Sequence, residues 1–288
     1  MIYKLLALNI DNTMLNSNGR LNKATKEAIE YAVEKGIYVS IVTSKNFSTA
    51  SRLGNALKVN APLVTHQGAF IANEKKNPIL VKKISENSTI DLVRFLEAFH
   101  CQIRLVHEDF TLGNKGKVPS NLMGKIVFQS STRYSYSEQY VDSLVEKLKE
   151  SPVSPPKIEV IFNDLEDLHD ARKAIGEMFH EVDCIVNDDT KMEIVPVGVS
   201  KLKGLLYVCD QLNIGREEVV AIGSGLDDKP LIEWAGLGVV MGNASAELKK
   251  SADWITRSNN ENGVSYMIKE HFRKQPPIEF LKKMNVIK

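Results

Sequence analysis

The chain has only three cysteines in 288 residues, Cys101, Cys184 and Cys209, and no two of them form a CxxC pair. An odd, widely spaced set excludes a disulfide framework and argues for buried thiols in a reducing compartment. No apolar run approaches the roughly 20 residues that span a bilayer, and no basic segment followed by an apolar one opens the chain. A cytoplasmic protein without membrane contact is therefore expected. There is no excess of charge of either sign. Lys plus Arg number 37 and Asp plus Glu 36, for a formal net charge of +1. That balance argues against a dedicated nucleic-acid or membrane surface. Internal repeats and low-complexity tracts are lacking too, and nothing in the sequence specifies an oligomeric state.

What is present is ordinary in bulk: 43% hydrophobic and 25% charged residues, on a chain long enough for one large domain or two modest ones. The first third alternates in period. Ile2 to Leu8 reads as a buried strand and Lys23 to Glu34 as an amphipathic helix stopped by Gly36. Ile37 to Val42 is the next strand, Asn46 to Leu57 a helix and Leu63 to Thr65 a short strand. This order implies a parallel sheet with helices on both faces.

The middle changes character. Helices are expected at Thr89 to Phe99, Ser137 to Lys149 and Leu165 to Met178, with strands at Gln102 to His107, Lys125 to Phe128 and Lys157 to Phe162. The last third resumes the first pattern. It has strands at Met192 to Val195, Val219 to Ile222 and Gly238 to Met241, and helices at Lys201 to Leu212, Asp228 to Ala235 and Val264 to Glu270. The fold expected is an α/β core (residues 1–84 and 191–288) interrupted by an inserted α+β cap domain (85–190). The tail from Gln275 reads as a surface appendage.

Ligands of parallel α/β sheets sit beyond the carboxyl ends of the strands. Four such places carry polar residues here: Asn9, Asp11 and Thr13; Thr43-Ser44-Lys45; Lys201; and Gly223-Ser224-Gly225-Leu226-Asp227-Asp228. Each has a structural explanation. Thr43 and Ser44 could cap the following helix, Asp227 and Asp228 could answer a helix dipole, and Lys201 could be solvated. The Gly223-Ser224-Gly225 turn lacks the third glycine of a dinucleotide fingerprint. Their convergence on one crevice is harder to explain that way.

In this order the segments resemble the haloacid dehalogenase-like phosphatases of the Cof type, whose core is Rossmann-like and whose cap is α/β. Asn9-Ile10-Asp11-Asn12-Thr13 stands where that family has DxDGT, Val42-Thr43-Ser44-Lys45 for its ATGR and His66-Gln67-Gly68-Ala69 for its SNGA. Gly198-Val199-Ser200-Lys201, Val219 to Gly223, Ala235 to Ala244 and Asn260 to Val264 fit as well. The resemblance implies an aspartyl-phosphate mechanism on a small phosphorylated metabolite, with Mg²⁺. It makes Asp11 the acid and base, Thr43, Ser44, Lys201 and Asn243 phosphate-binding residues, and Asp228, Asp227, Asn9, Asp11 and Ser224 the positions around the metal.

The departures fall on the chemistry. Asn9 replaces the nucleophile and Ser224 a metal carboxylate. Asn12, Ser44 and Lys45 replace two glycines and an arginine. An amide is a poor nucleophile and a weaker Mg²⁺ ligand than a carboxylate. The expectation is a phosphatase-descended chain with weak or lost hydrolysis. The alternatives are a hydrolase in which Asp11 or Asp227 activates water directly, and a non-catalytic module that binds or senses a phosphometabolite. In the cap, Arg104, His107 and Asp109 are polar residues expected at the surface.

Overall fold

A computed structural model describes residues 2–74, 77–115, 137–186 and 189–286. The chain divides into two compact units, Met1–Leu80 with Ser200–Lys288, and Val81–Val199. The first unit is built on a five-stranded parallel sheet in the order β14-β13-β12-β1-β2. Its strands are β1 (Leu5–Leu8), β2 (Tyr38–Ile41), β12 (Val219–Gly223), β13 (Leu237–Val240) and β14 (Trp254–Ile255). Both faces of β1 are buried, as its unbroken apolar run requires. Leu6 and Leu8 join the core packed by α1 (Lys23–Glu34), α2 (Phe47–Leu57) and the C-terminal helices. Leu5 and Ala7, pointing the other way, join a second core with Leu205 and Val208. A small sheet, β3 (Leu63–Thr65), β4 (Phe70–Glu74) and β5 (Asn77–Val81), follows α2, and a bridge from Val42 to Val64 ties β3 to β2.

The second unit holds a six-stranded sheet in the order β10-β11-β9-β6-β7-β8. These are β6 (Cys101–Val106), β7 (Phe110–Asn114), β8 (Ser137–Val141), β9 (Lys157–Phe162), β10 (Val182–Val186) and β11 (Lys191–Pro196). Its helices are α3 (Glu86–Leu96), α4 (Leu144–Glu150) and α5 (Leu165–Met178). Ile103, Leu105, Ile158, Val160 and Ile194 face those helices. The alternate positions Arg104, Lys157, Glu159 and Glu193 form an ion-paired cluster. Lys157 Nζ lies 2.7 Å from Glu159 and 2.8 Å from Glu193, Lys191 3.1 Å from Glu193, and Arg104 3.3 Å from Glu159. Glu193 and Glu159 are directly opposite in register, an unfavourable pairing that the lysines offset.

Several expectations need correction. Residues 137–141 are a strand, not the start of a helix; they pair in parallel with β7, and the helix begins only after Ser143 caps it. The strand around Met192 belongs not to the parallel core but to the second unit, hydrogen-bonded between β9 and β10. Its apolar alternation could serve either sheet. The tail is not an appendage. The Gln275 side chain exchanges two 2.8 Å hydrogen bonds with the Tyr3 backbone, and Ile278 and Leu281 are buried in the core. Cys209 is buried, whereas Cys101 and Cys184 are half-buried, and burial pushes all three thiols up to about 12. Arg104 is half-buried in ion pairs, His107 is half-buried 3.2 Å from Glu108, and Asp109 is exposed. The expected strand Lys125 to Phe128 lies outside the described residues. Among the described residues no helix is long and apolar enough to cross a membrane.

Burial would raise the Glu159 and Glu193 carboxyls, but Lys157 and Lys191, with Arg104 also acting on Glu159, outweigh it and hold both below the usual 4.5. A depressed native value means that their stabilisation is complete above 4.5 and is lost as pH falls below it. Lys157→Ala is expected to cost up to roughly 3 kcal/mol in urea unfolding near neutral pH, because it removes the buried counter-ion of Glu193 and leaves Glu159 and Glu193 to Lys191 and Arg104 alone. The deficit should shrink in acid.

Candidate active site

The parallel registers align the strand ends. Leu8 is level with both Ile222 and Ile41, so Asn9, Val42-Thr43 and Gly223-Ser224 leave the sheet side by side. After β1 the chain turns at once. Asp11 is extended, and Asn12 takes a left-handed conformation (φ 53°) that asparagine tolerates in place of the family's glycine. After β2, Thr43 is buried and Ser44 half-buried. Neither caps the next helix, since Asn46 accepts from the Thr49 N–H instead. After β3, His66, Gln67 and Gly68 all have positive φ (50°, 60° and 100°). Two consecutive non-glycine residues in this region cost about 1–3 kcal/mol each. At Gly68 a Cβ would lie 2.2 Å from the Ser200 carbonyl, so glycine alone lets this loop meet the start of α6 (Lys201–Leu212).

At the centre is Lys201, only 2% exposed. Its Nζ lies 2.6 Å from Asp227 Oδ2 and 2.7 Å from Asp228 Oδ1. Burial would lower its pKa, but the two carboxylates outweigh burial and hold it above the ordinary lysine value, so it stays charged. Gln67 Nε2 donates to the same Asp227 oxygen at 2.9 Å. Asp228 Oδ2 accepts three N–H groups: Asn9 Nδ2 (2.9 Å), Ser224 N (2.9 Å) and Gly225 N (3.1 Å). Gly223 has no room for a side chain, because a Cβ would lie 2.5 Å from Asp228.

Asn9 has both ends of its amide committed. Its Oδ1 accepts from the Ile10 N–H at 2.7 Å, which leaves Nδ2 to face Asp228. Ser224 Oγ donates to the Asp11 carbonyl at 3.2 Å and lies 3.0 Å from the Thr13 hydroxyl. Asp11 itself is half-exposed and sits 3.2 Å from Lys45 Nζ. Asn243 is exposed; it donates to the Asn12 carbonyl and accepts from the Asn259 N–H, joining two loops.

A family model for haloacid dehalogenase-like hydrolases matches residues 6–268. The chain belongs to this family. A stress response protein of Bacillus subtilis strain 168, YhaX, is 48% identical over 286 residues, covering 99% of each chain. A 5-amino-6-(5-phospho-D-ribitylamino)uracil phosphatase of the same strain is 29% identical, over 92% of this chain and 94% of its own. The solved structure of a haloacid dehalogenase-like hydrolase from B. subtilis superposes with a TM-score of 0.80 at 23% identity, over 93% of this chain and 99% of that one. The likeness at that identity is one of fold.

Among the strand-end positions of this haloacid dehalogenase-like chain, Asn9, Ser224, Asp227, Asp228 and Lys201 meet in one hydrogen-bonded network. Asp11 and Lys45 form a separate, more exposed pair. Among the described residues, no three carboxylate or histidine donors of this region lie within 4.8 Å of one another. Gln67 belongs to the network and was missed at the sequence level. The signal was there, since it stands where the family pattern has the asparagine of SNGA.

The burial difference between the two lysines predicts unequal costs. Lys201→Met should lose roughly 3–5 kcal/mol in urea unfolding by leaving Asp227 and Asp228 without their counter-ion. Lys45→Met, whose side chain is 32% exposed, should lose no more than about 1 kcal/mol.

Proposed function

We propose that this chain is a non-hydrolysing member of its family, which receives small phosphorylated metabolites at the strand ends without forming an aspartyl-phosphate. One observation carries the reading: the Asn9 amide donates to Asp228 at 2.9 Å while its oxygen is taken by the Ile10 N–H. At the nucleophile position the group facing Asp228 is thus an N–H donor. The residues present also do not fit a resident Mg²⁺. Both Asp228 oxygens are engaged by protein donors, and the Asp11 carbonyl accepts from Ser224.

Charge accounts for how such a crevice survives without the ion. Asn9 and Ser224 are neutral where the family pattern has carboxylates, so two negative charges have gone together with the divalent cation that balanced them. Asp227, at the family's asparagine position, supplies within the protein the negative charge that a phosphoryl group would bring to Lys201. Binding at the crevice is accordingly weaker than at an enzyme site and rests on Lys45 and Thr43. The 48% identical relative is a stress response protein by name and not a phosphatase.

One observation favours a second reading, hydrolysis by direct activation of water. Asp11 is 46% exposed and lies outside the buried network. A phosphate-release assay over a panel of phosphomonoesters with Mg²⁺ separates the two. Loss of a nucleophile costs on the order of 10⁴–10⁶ in rate, so turnover near background is expected, with a gain in the Asn9→Asp, Ser224→Asp double variant. Wild-type turnover equal to that of active phosphatases and lost in Asp11→Ala would overturn the proposal.

A further inference from the structure

The first unit contains a pocket that the strand-end network does not use. It has a volume of about 260 Å³ and is lined by Ala24, Arg257, Glu261, Asn262, Ser265, Tyr266 and Lys269. Ser265, Tyr266 and Lys269 share one side of the helix Gly263–Phe272, with Asn262 at its N-cap. Ala24 is in the first turn of α1, whose N-cap Asn22 makes no side-chain capping bond because its side chain is bonded to Asn262 and Asn16. The amides of that turn therefore lack the usual side-chain acceptor, and the helix N-terminus carries partial positive charge beside the pocket.

Two cations stand over this space. Arg257 and Lys269 are both exposed, and Arg257 acts on the lining carboxylate Glu261 without a close ion pair. Arg257 is held in place, its guanidinium 4.1 Å from the Tyr266 ring centre, and Tyr266 in turn stacks on Trp254 at 5.6 Å. Orientation of the guanidinium is thus settled before any ligand arrives. The independent observation is Ser265. It is 3% exposed, lines the pocket, and its hydroxyl makes no hydrogen bond with any described residue. The hydroxyl is not fully enclosed, so an atom in the pocket can pair with it. Glu261 is the acidic lining residue, and its Oε2 is taken by the Ser258 N–H and hydroxyl.

We propose that this pocket is a second anion site, built for the phosphoryl group of inorganic phosphate or of a small phosphomonoester, with Arg257 and Lys269 supplying charge and Ser265 a hydrogen bond. A doubly charged tetrahedral oxyanion suits a fork, a point charge and a hydroxyl better than a carboxylate does. The site is separate from the crevice and does not depend on whether the chain hydrolyses anything.

The stacked Trp254 provides the readout. In the full-length Trp234→Phe variant, Trp254 fluorescence is titrated with inorganic phosphate and, separately, with glycerol phosphate. A saturable change is expected, with half-saturation that rises with ionic strength. It should rise at least about tenfold in Lys269→Gln, a variant that keeps the Arg257–Tyr266–Trp254 stack, which corresponds to about 1.4 kcal/mol. Lys45→Gln, in the crevice, should leave it unchanged. Tighter binding of glycerol phosphate would mark an organic phosphomonoester as the ligand, and equal binding would mark phosphate alone. No saturable change up to about 10 mM, well above a millimolar constant, would overturn the proposal. So would a change that Lys45→Gln abolishes and Lys269→Gln does not.

Discussion

A buried ammonium held between two carboxylates organises the strand ends of this protein. Lys201 cannot be desolvated alone, and Asp227 and Asp228 cannot be buried beside each other without it. Once Asp228 gives one oxygen to Lys201, its other oxygen must find N–H donors, and it takes them from Ser224, Gly225 and Asn9. An amide at position 9 completes that set. A carboxylate there would face Asp228 at about 3 Å, a repulsion of roughly 6 kcal/mol at an effective dielectric constant near 20. It would be tolerable only with a cation between the two groups. On the proposed reading, the amide at position 9 and the loss of a metal go together.

The scaffold around this network is specific about geometry and indifferent to chemistry. Parallel registers bring the ends of β1, β2 and β12 level whatever residue follows each strand. The strained His66-Gln67 loop, seated on α6 through Gly68, carries Gln67 to Asp227. A fold that keeps such positioning with an amide at position 9 retains an organised polar crevice, and the proposed binding without turnover rests on it.

Much of this was legible in the sequence. The run Leu5–Leu8, the helix at Lys23 and the residues at the strand ends could be placed because burial on both faces of a parallel sheet leaves unbroken apolar strands. The strand at Lys191–Pro196 was assigned to the wrong sheet because local alternation does not say which partner a strand pairs with. Ser137–Val141 read as helix because its parallel partner β7 lies some 25 residues away in sequence. Docking of the tail through Gln275 and Ile278 depends on contacts with Tyr3 and Gly36, at the far end of the chain. At the site, the substitutions at 9 and 224 were readable. Their consequence, an amide donating to Asp228 and a lysine sealed between two aspartates, required coordinates.

The central claim is that an amide and an internal ion network have taken the place of a metal, and thermal unfolding of the wild type and of Asn9→Asp, each in EDTA and in Mg²⁺, tests it most directly. The account predicts a wild-type midpoint that does not respond to Mg²⁺. It predicts that Asn9→Asp unfolds several degrees lower in EDTA, at about 2–4 °C per kcal/mol for a domain of this size, and recovers when Mg²⁺ is added. A wild-type midpoint that rises with Mg²⁺ in a saturable way would contradict it.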